Sequence, residues 1–273
     1  MRSVVYTVNC KRCKLSFVKP NFRGGPLLTQ ATTRAAAHAA TSARIVAAAR
    51  DLLVRHGEVT LRAVARHLGM TAPALYRYAP SHEDLVRIVA IAIDADVATR
   101  IKAAADAQPA DDPAARLIAA AVEFRAWALE NRHEFSLVFT NVDVDCLDEM
   151  AGSASTGMVF SGLLFDLWAE RQFPIPQLDE LDPGLAEILR DPRVPADLTG
   201  VPDEVRGLVW VLERAWSRLY GTVTLEVFRH IDPRIVEEAH LFRAMIEDQA
   251  GPLGLTGELP RLRPLLASLL AES

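Results

Sequence analysis

Residues 60–85 read TLRAVARHLGMTAPALYRYAPSHEDL. Thr60 is a helix-capping residue type, and Leu61, Val64, Ala65 and Leu68 follow on one face at helical spacing. Gly69 stands where that helix must end, as the residue that enters the left-handed region at least cost. Thr71 and Pro73 then open a second short helix, one as its cap and the other in its first turn. Ser81 caps a third, with Glu83 and Asp84 in the first turn, where the helix dipole favours acids. Two short helices about a glycine turn, backed by a long capped helix, form a helix-turn-helix.

Working outward, Ile45, Ala48, Ala49, Leu52 and Leu53 predict a preceding helix that begins near Thr41-Ser42 and stops at His56-Gly57. Residues 1–40 hold seven Lys/Arg and no Asp/Glu, with Pro20, Gly24, Gly25 and Pro26 among them. This stretch reads as a flexible basic arm, either a phosphate-contacting one or a tail without function. Downstream, the helix from Ser81 is expected to run to about Ala107. Further helices are expected from Pro113 to about Asn131, from His133 to about Val142, and from Ser153 or Ser155 to Phe173-Pro174. A proline-rich connection covers 174–202, with a short helix near Gly184–Leu189. Two helices then cover about 203–230 and 233–249, and the leucines after Pro264 suggest a last short one. No strand pattern or internal repeat stands out. The expected organisation is all-α: an arm at 1–40, a three-helix domain with the helix-turn-helix at 41–88, a helical body at 89–250, and a tail at 251–273.

Charge divides the chain in the same place. Residues 1–90 carry 14 Lys+Arg against 4 Asp+Glu, and residues 91–273 carry 16 against 31. The net of −5 thus conceals +10 at one end and −15 at the other, which points to a polyanion partner for the first part only. Half the residues are apolar, enough for a sizeable core. No apolar run reaches the roughly 18 residues that span a bilayer, and Lys11, Arg12, Lys14 and Lys19 interrupt any signal peptide, so a cytoplasmic location is expected. Cys10 and Cys13 form a CxxC without a second pair, and Cys146 lies far away. An incidental pair is favoured over zinc or redox use, and no metal or cofactor is expected.

In Thr60, Leu61, Arg62, Val64, Ala65, Leu68, Gly69, Leu75, Tyr76 and Leu85 the segment resembles the TetR family of bacterial regulators. The resemblance implies a dimer whose second short helices enter successive major grooves of a palindromic operator. It places Thr71, Ala72, Pro73, Ala74, Tyr76, Arg77, Tyr78 and His82 at or beside the DNA, with Arg62 reaching from the preceding helix. The chemistry suits those positions. Arginine bonds both major-groove acceptors of guanine, Pro73 or Ala74 packs on a thymine methyl, and tyrosine hydroxyls donate to phosphates. The plain alternative is that Arg62, Arg66 and Arg77 are solvated charges and that Tyr76 packs within its own domain. Three positions depart from the family pattern: Tyr78 stands for His, Ala79 for Phe and His82 for Lys.

The body is rich in large apolar side chains. Phe124, Trp127, Phe139, Met158 and Trp168 are the candidate lining of a pocket for a small apolar or aromatic ligand, although such residues at helical spacing usually form core. Glu123, Arg125, Glu130 and His133 are possible polar contacts. The segment from Trp216 to Phe228 resembles a sensor-domain type with Trp-x-x-x-His-Gly, but Tyr220 replaces the His. Gly221 in mid-helix costs about 1 kcal/mol against alanine, and a close helix crossing would justify it. The resemblance implies a four-helix dimer bundle, for which Leu219, Gly221, Val223, Val227, Leu241 and Met245 are candidates; burial within one protomer is the alternative. Enzyme motifs such as GxSxG, HExxH and phosphate-binding glycine loops are missing from the sequence, so an enzyme ranks below a ligand-responsive repressor. A DNA-binding protein or activator without sensing remains a rival with the same head.

Overall fold

The computed structural model describes residues 6–9, 14–17, 31–140, 155–190 and 202–272. Cys10, Cys13 and Cys146 lie outside them. The chain divides into two compact units, Met1–Ala92 and Ile93–Ser273.

The first unit holds α1 (Ala31–His56), α2 (Leu61–Leu68), α3 (Ala72–Leu75) and the start of α4 (His82–Asp106). It also holds two short antiparallel strands, β1 (Tyr6–Asn9) and β2 (Lys14–Phe17), paired Tyr6↔Phe17 through Asn9↔Lys14. Two features depart from the expected arm. Four residues per strand is too short for alternation to stand out from the sequence, although Tyr, Thr, Val and Phe are strand-favouring types. The first helix begins ten residues before Thr41, because 31–40, ATTRAAAHAA, is rich in alanine, the strongest helix former. The helix ends as expected, at Gly57 with φ 73°. Ile45, Leu53, Val64, Leu75, Leu85 and Val89 form the core of this unit, each 2% exposed or less.

In the second unit α5 (Pro113–Glu130) is the central helix, packed against α6 (Arg132–Thr140), α7 (Thr156–Arg171), α9 (Gly207–Val227) and α12 (Leu259–Glu272). Asp112 caps α5 by accepting the Ala115 N–H at 3.0 Å, and Pro113 occupies its first turn. Its alanines, buried on several faces, let the neighbouring helices approach closely. Ser155 caps α7, and the short α8 (Pro183–Arg190) interrupts the proline-rich connection. Asp94 on α4 is buried and accepts the Thr156 N–H at the start of α7, 3.3 Å from both carboxylate oxygens. Burial pushes its pKa up, against those two hydrogen bonds.

The helix expected over 233–249 is two, α10 (Pro233–Glu237) and α11 (His240–Ala250), broken at Ala239 with φ 52°. The break leaves Val236 O near a helix end, where Arg125 Nη2 donates to it at 2.6 Å. The stretch expected to be a tail is a wall of the body. Gly254, at φ 68° with Phe173 Cβ 2.9 Å from where its own Cβ would stand, turns the chain back so that α12 lies along α5. Among the described residues no helix is long and apolar enough to cross a membrane.

Candidate functional site

The geometry of the first unit follows from its caps. Thr60 Oγ1 accepts the Ala63 N–H at 3.2 Å and fixes the start of α2. At the other end Gly69 has φ 64°, and the N–H groups of Gly69 and Met70 bond back to Arg66 O at 3.2 Å and Ala65 O at 2.9 Å. The turn is thereby set, and α3 starts at Ala72 with Thr71 extended before it. Thr71 makes no side-chain capping bond, so its exposed hydroxyl is not committed to the helix start. Ser81 and Asp84 cap α4 reciprocally: Ser81 N–H donates to Asp84 Oδ2 at 3.1 Å, and Asp84 N–H to Ser81 Oγ at 3.0 Å. Arg87 completes the group on Asp84 Oδ1 at 2.5 Å.

Packing then sorts the side chains. Leu75 is 1% exposed, whereas its neighbour Tyr76 is 49% exposed. Thr71, Ala72, Pro73 and Arg77 are exposed on the same short segment, with Ala74 half-buried. Arg62 and Arg66 of α2 are exposed as well. No carboxylate pairs with Arg62, Arg66 or Arg77 among the described residues. The unit therefore presents cations, a large ring with a hydroxyl, and small apolar groups, with its leucines turned inward. His82 is exposed at the start of α4. Ala79 is fully buried, so a methyl fills the place where the family pattern has a ring. Tyr78 is half-buried, and its ring stacks on His38 of α1 at 4.6 Å. His38 escaped the sequence reading because it falls in the stretch taken for an arm.

In the second unit the five candidate pocket residues do not line the cavity described below. Phe124, Trp127 and Phe139 belong to an aromatic cluster with Phe135, Phe160, Trp216 and Tyr220, whose ring centroids lie 5.2–6.3 Å apart. Tilted and edge-to-face rings fill one another's gaps, so the cluster is core. Met158 is on an exposed face, and half-buried Trp168 donates its Nε1–H to Phe173 O at 3.1 Å. Tyr220, where the resemblance expects His, donates its hydroxyl to Phe139 O at 2.7 Å and stacks on Trp216.

A cavity of about 80 Å³ lies elsewhere, among α5, α7, α9, α11 and α12. Leucine is the commonest residue of its walls, including Leu117, Leu164, Leu212, Leu259, Leu262 and Leu266. Only Phe160 and Trp216 are shared with the aromatic cluster. Branched aliphatic chains on five converging elements leave a gap that interlocking rings close. Leu255, Leu259, Leu262 and Leu266, at helical spacing, were the sequence signal for this wall.

The four polar candidates do not line the cavity either. Arg100 pairs with Glu123 at 2.7 Å and with Glu130 at 3.5 Å, and His133 is exposed. Arg125 is buried against Glu226, Nε to Oε2 at 2.6 Å, with its guanidinium 5.5 Å from the Phe242 ring centroid. Among the described residues Glu226 Oε1 is buried without a hydrogen-bond partner, and burial pushes the Glu226 pKa up against the pull of Arg125.

Of the candidate dimer residues, Leu219, Val223, Val227 and Met245 are buried within their own protomer, 0–6% exposed. Gly221 and Leu241 are half-buried. A methyl added at Gly221 would meet nothing within 4 Å, so no crossing inside the protomer requires the glycine. Arg214, Ser217, Gly221 and Leu225 lie along one accessible stripe of α9.

Comparison with known proteins divides at the same places. Residues 45–89 match the model of bacterial regulatory proteins, tetR family, and residues 117–249 match that of the tetracyclin repressor-like C-terminal domain. The HTH-type transcriptional regulators Rv1816 of Mycobacterium tuberculosis and Mb1846 of Mycobacterium bovis are each 35% identical over 99 residues, 36% of this chain. The chain spans only 42% of the length of those curated relatives. The fold is similar to the crystal structure of a regulatory protein, SCO4313, with TM-score 0.51 and 22% identity over 80% of this chain and 99% of that one.

Proposed function

We propose, from the premise that the chain belongs to the TetR family of bacterial regulatory proteins, that it is a sequence-specific DNA-binding regulator of transcription and not an enzyme. The observation that carries this reading is the inward Leu75 beside the outward Tyr76 on a segment whose arginines are exposed. Arg62 reads guanine, Pro73 and Ala74 pack on thymine methyls, and Tyr76, Arg77 and Thr71 hold phosphates. His82 adds a donor to the backbone at the start of α4. Tyr78, held on His38, serves chiefly to set the end of the reading segment.

The protein works as a cytoplasmic homodimer on a palindromic operator, and it represses until a small molecule enters the body. The accessible stripe of α9 at Gly221 and Leu225, with Leu241 of α11, supports a two-fold helix bundle there. The effector is an apolar molecule that binds the DNA-incompetent state more tightly and lowers operator affinity by that ratio.

Titration of the full chain against the DNA upstream of its own gene tests the DNA reading. A footprint with two symmetric half-sites, and a log affinity that falls linearly with log salt, are expected. Equal affinity for that DNA and for scrambled DNA would overturn it.

A further inference from the structure

The cavity is completed by chain that lies beyond the family-matching residues 117–249. Leu253, Leu255, Leu259, Leu262 and Leu266 form one wall, facing α5, α7 and α9. We propose that residues 250–266 complete a binding site for a small, neutral, mainly aliphatic molecule carrying one hydrogen-bonding group, and that Gln249 is its polar partner. The proposal deepens the effector reading above and rests on it.

Size and chemistry set the ligand class. With one water needing about 10–15 Å³, the cavity has room for about half a dozen water-sized groups. Its lining is overwhelmingly hydrocarbon, so a net charge would enter without a partner. Glu247 and Arg263, the charged side chains at the wall, neutralise each other through paired bonds of 3.0 and 2.8 Å between α11 and α12. Gln249 is different. It is 8% exposed, lines the cavity, and donates its Nε2–H to Met245 Sδ at 2.8 Å. A thioether is a weak acceptor, so a ligand oxygen is a better partner for that amide.

The wall can also yield. At the start of α12, Arg261 bonds both oxygens of Asp112, and Glu258 pairs with Arg171 at 2.6 Å and with Arg261. These side chains are 21–44% exposed, and ion pairs that solvent reaches contribute less to stability than fully buried ones. Pro264 removes one backbone hydrogen bond within α12. The leucines that a ligand would itself touch are thus part of what holds the helix.

Cyclohexanol and cyclohexane are the probes, read by calorimetry and thermal shift on the full chain without DNA. The unaltered protein is expected to bind cyclohexanol saturably, with a raised melting temperature, and up to about tenfold more tightly than cyclohexane, the range of one net hydrogen bond. Gln249→Leu should erase that preference while cyclohexane still binds. Leu262→Trp, which fills the space, should abolish both. Should that variant not fold, nuclear Overhauser contacts from bound cyclohexanol to the methyls of Leu259, Leu262 and Leu266 report on the same wall in the unaltered chain. No binding, or binding without those contacts, would overturn the inference. Operator titration of the same sample separates the two readings: DNA binding with no probe binding removes the cavity site alone, and probe binding with no DNA binding removes the regulator reading alone.

Discussion

Arg125 and Glu226 join α5 to α9 through a 2.6 Å bond in which the carboxylate has no exposed surface. The same guanidinium reaches Val236 O and lies by Phe242, so one side chain ties four helices. Buried pairs of this kind barely offset their desolvation, yet removing one partner strands a charge. Arg125→Met should therefore cost about 3–5 kcal/mol. Arg125→Met with Glu226→Leu should recover most of that. Urea denaturation midpoints measure both; a double variant as unstable as the single one would show that packing, not the stranded carboxylate, dominates.

Tyr76→Phe removes one hydroxyl from an exposed ring and leaves the core untouched. Operator affinity should fall by about 1 kcal/mol, roughly fivefold, with the melting temperature unchanged. A gel-shift titration that gives the unaltered affinity would count against the phosphate contact. Arg62→Ala should cost more, about 1–3 kcal/mol, and relax the preference at one base pair.

Asp94 has a pKa raised by burial in the folded state. It holds its proton more tightly folded than unfolded, so its contribution to stability is greatest below the ordinary value of 3.8. That contribution is lost as pH rises from there through the raised folded value. Asp94→Asn keeps an acceptor for the Thr156 N–H and cannot ionise. The melting temperature of Asp94→Asn minus that of the parent should grow as pH rises above the ordinary value of 3.8. A constant difference would mean that Asp94 titrates normally.

Gly221→Ala tests the proposed dimer face. Inside the protomer the added methyl meets nothing and should stabilise α9 by about 1 kcal/mol. At a close two-fold crossing the same methyl should weaken association. Analytical ultracentrifugation across a dilution series separates the two effects; a tighter dimer in the variant would place the crossing elsewhere.

The reading head was legible because its information is local. Thr60, Gly69 and Ser81 act within a turn of where they stand, and their cap geometry follows from residue type. The body was legible as helices but not as a site. Whether Phe124 meets another ring or a void depends on residues far away in sequence, such as Trp216. The ten extra residues of α1 were hidden by their position next to Pro20, Gly24 and Pro26, although their alanines favoured helix. His38 went unread with them. The break at Ala239 had no sequence signal, since alanine is the last residue expected at positive φ.

The bond from Arg261 to Asp112 closes a loop of 149 residues. A ribosome adding about 5–20 residues per second needs roughly 7–30 seconds to travel that distance. During that time α5 has been made and the helix that will cover it has not. The helix-turn-helix unit, being N-terminal, leaves the ribosome well before the leucine wall exists. A newborn chain can thus fold its helix-turn-helix before its cavity exists, and the two mature in that order in every molecule synthesised.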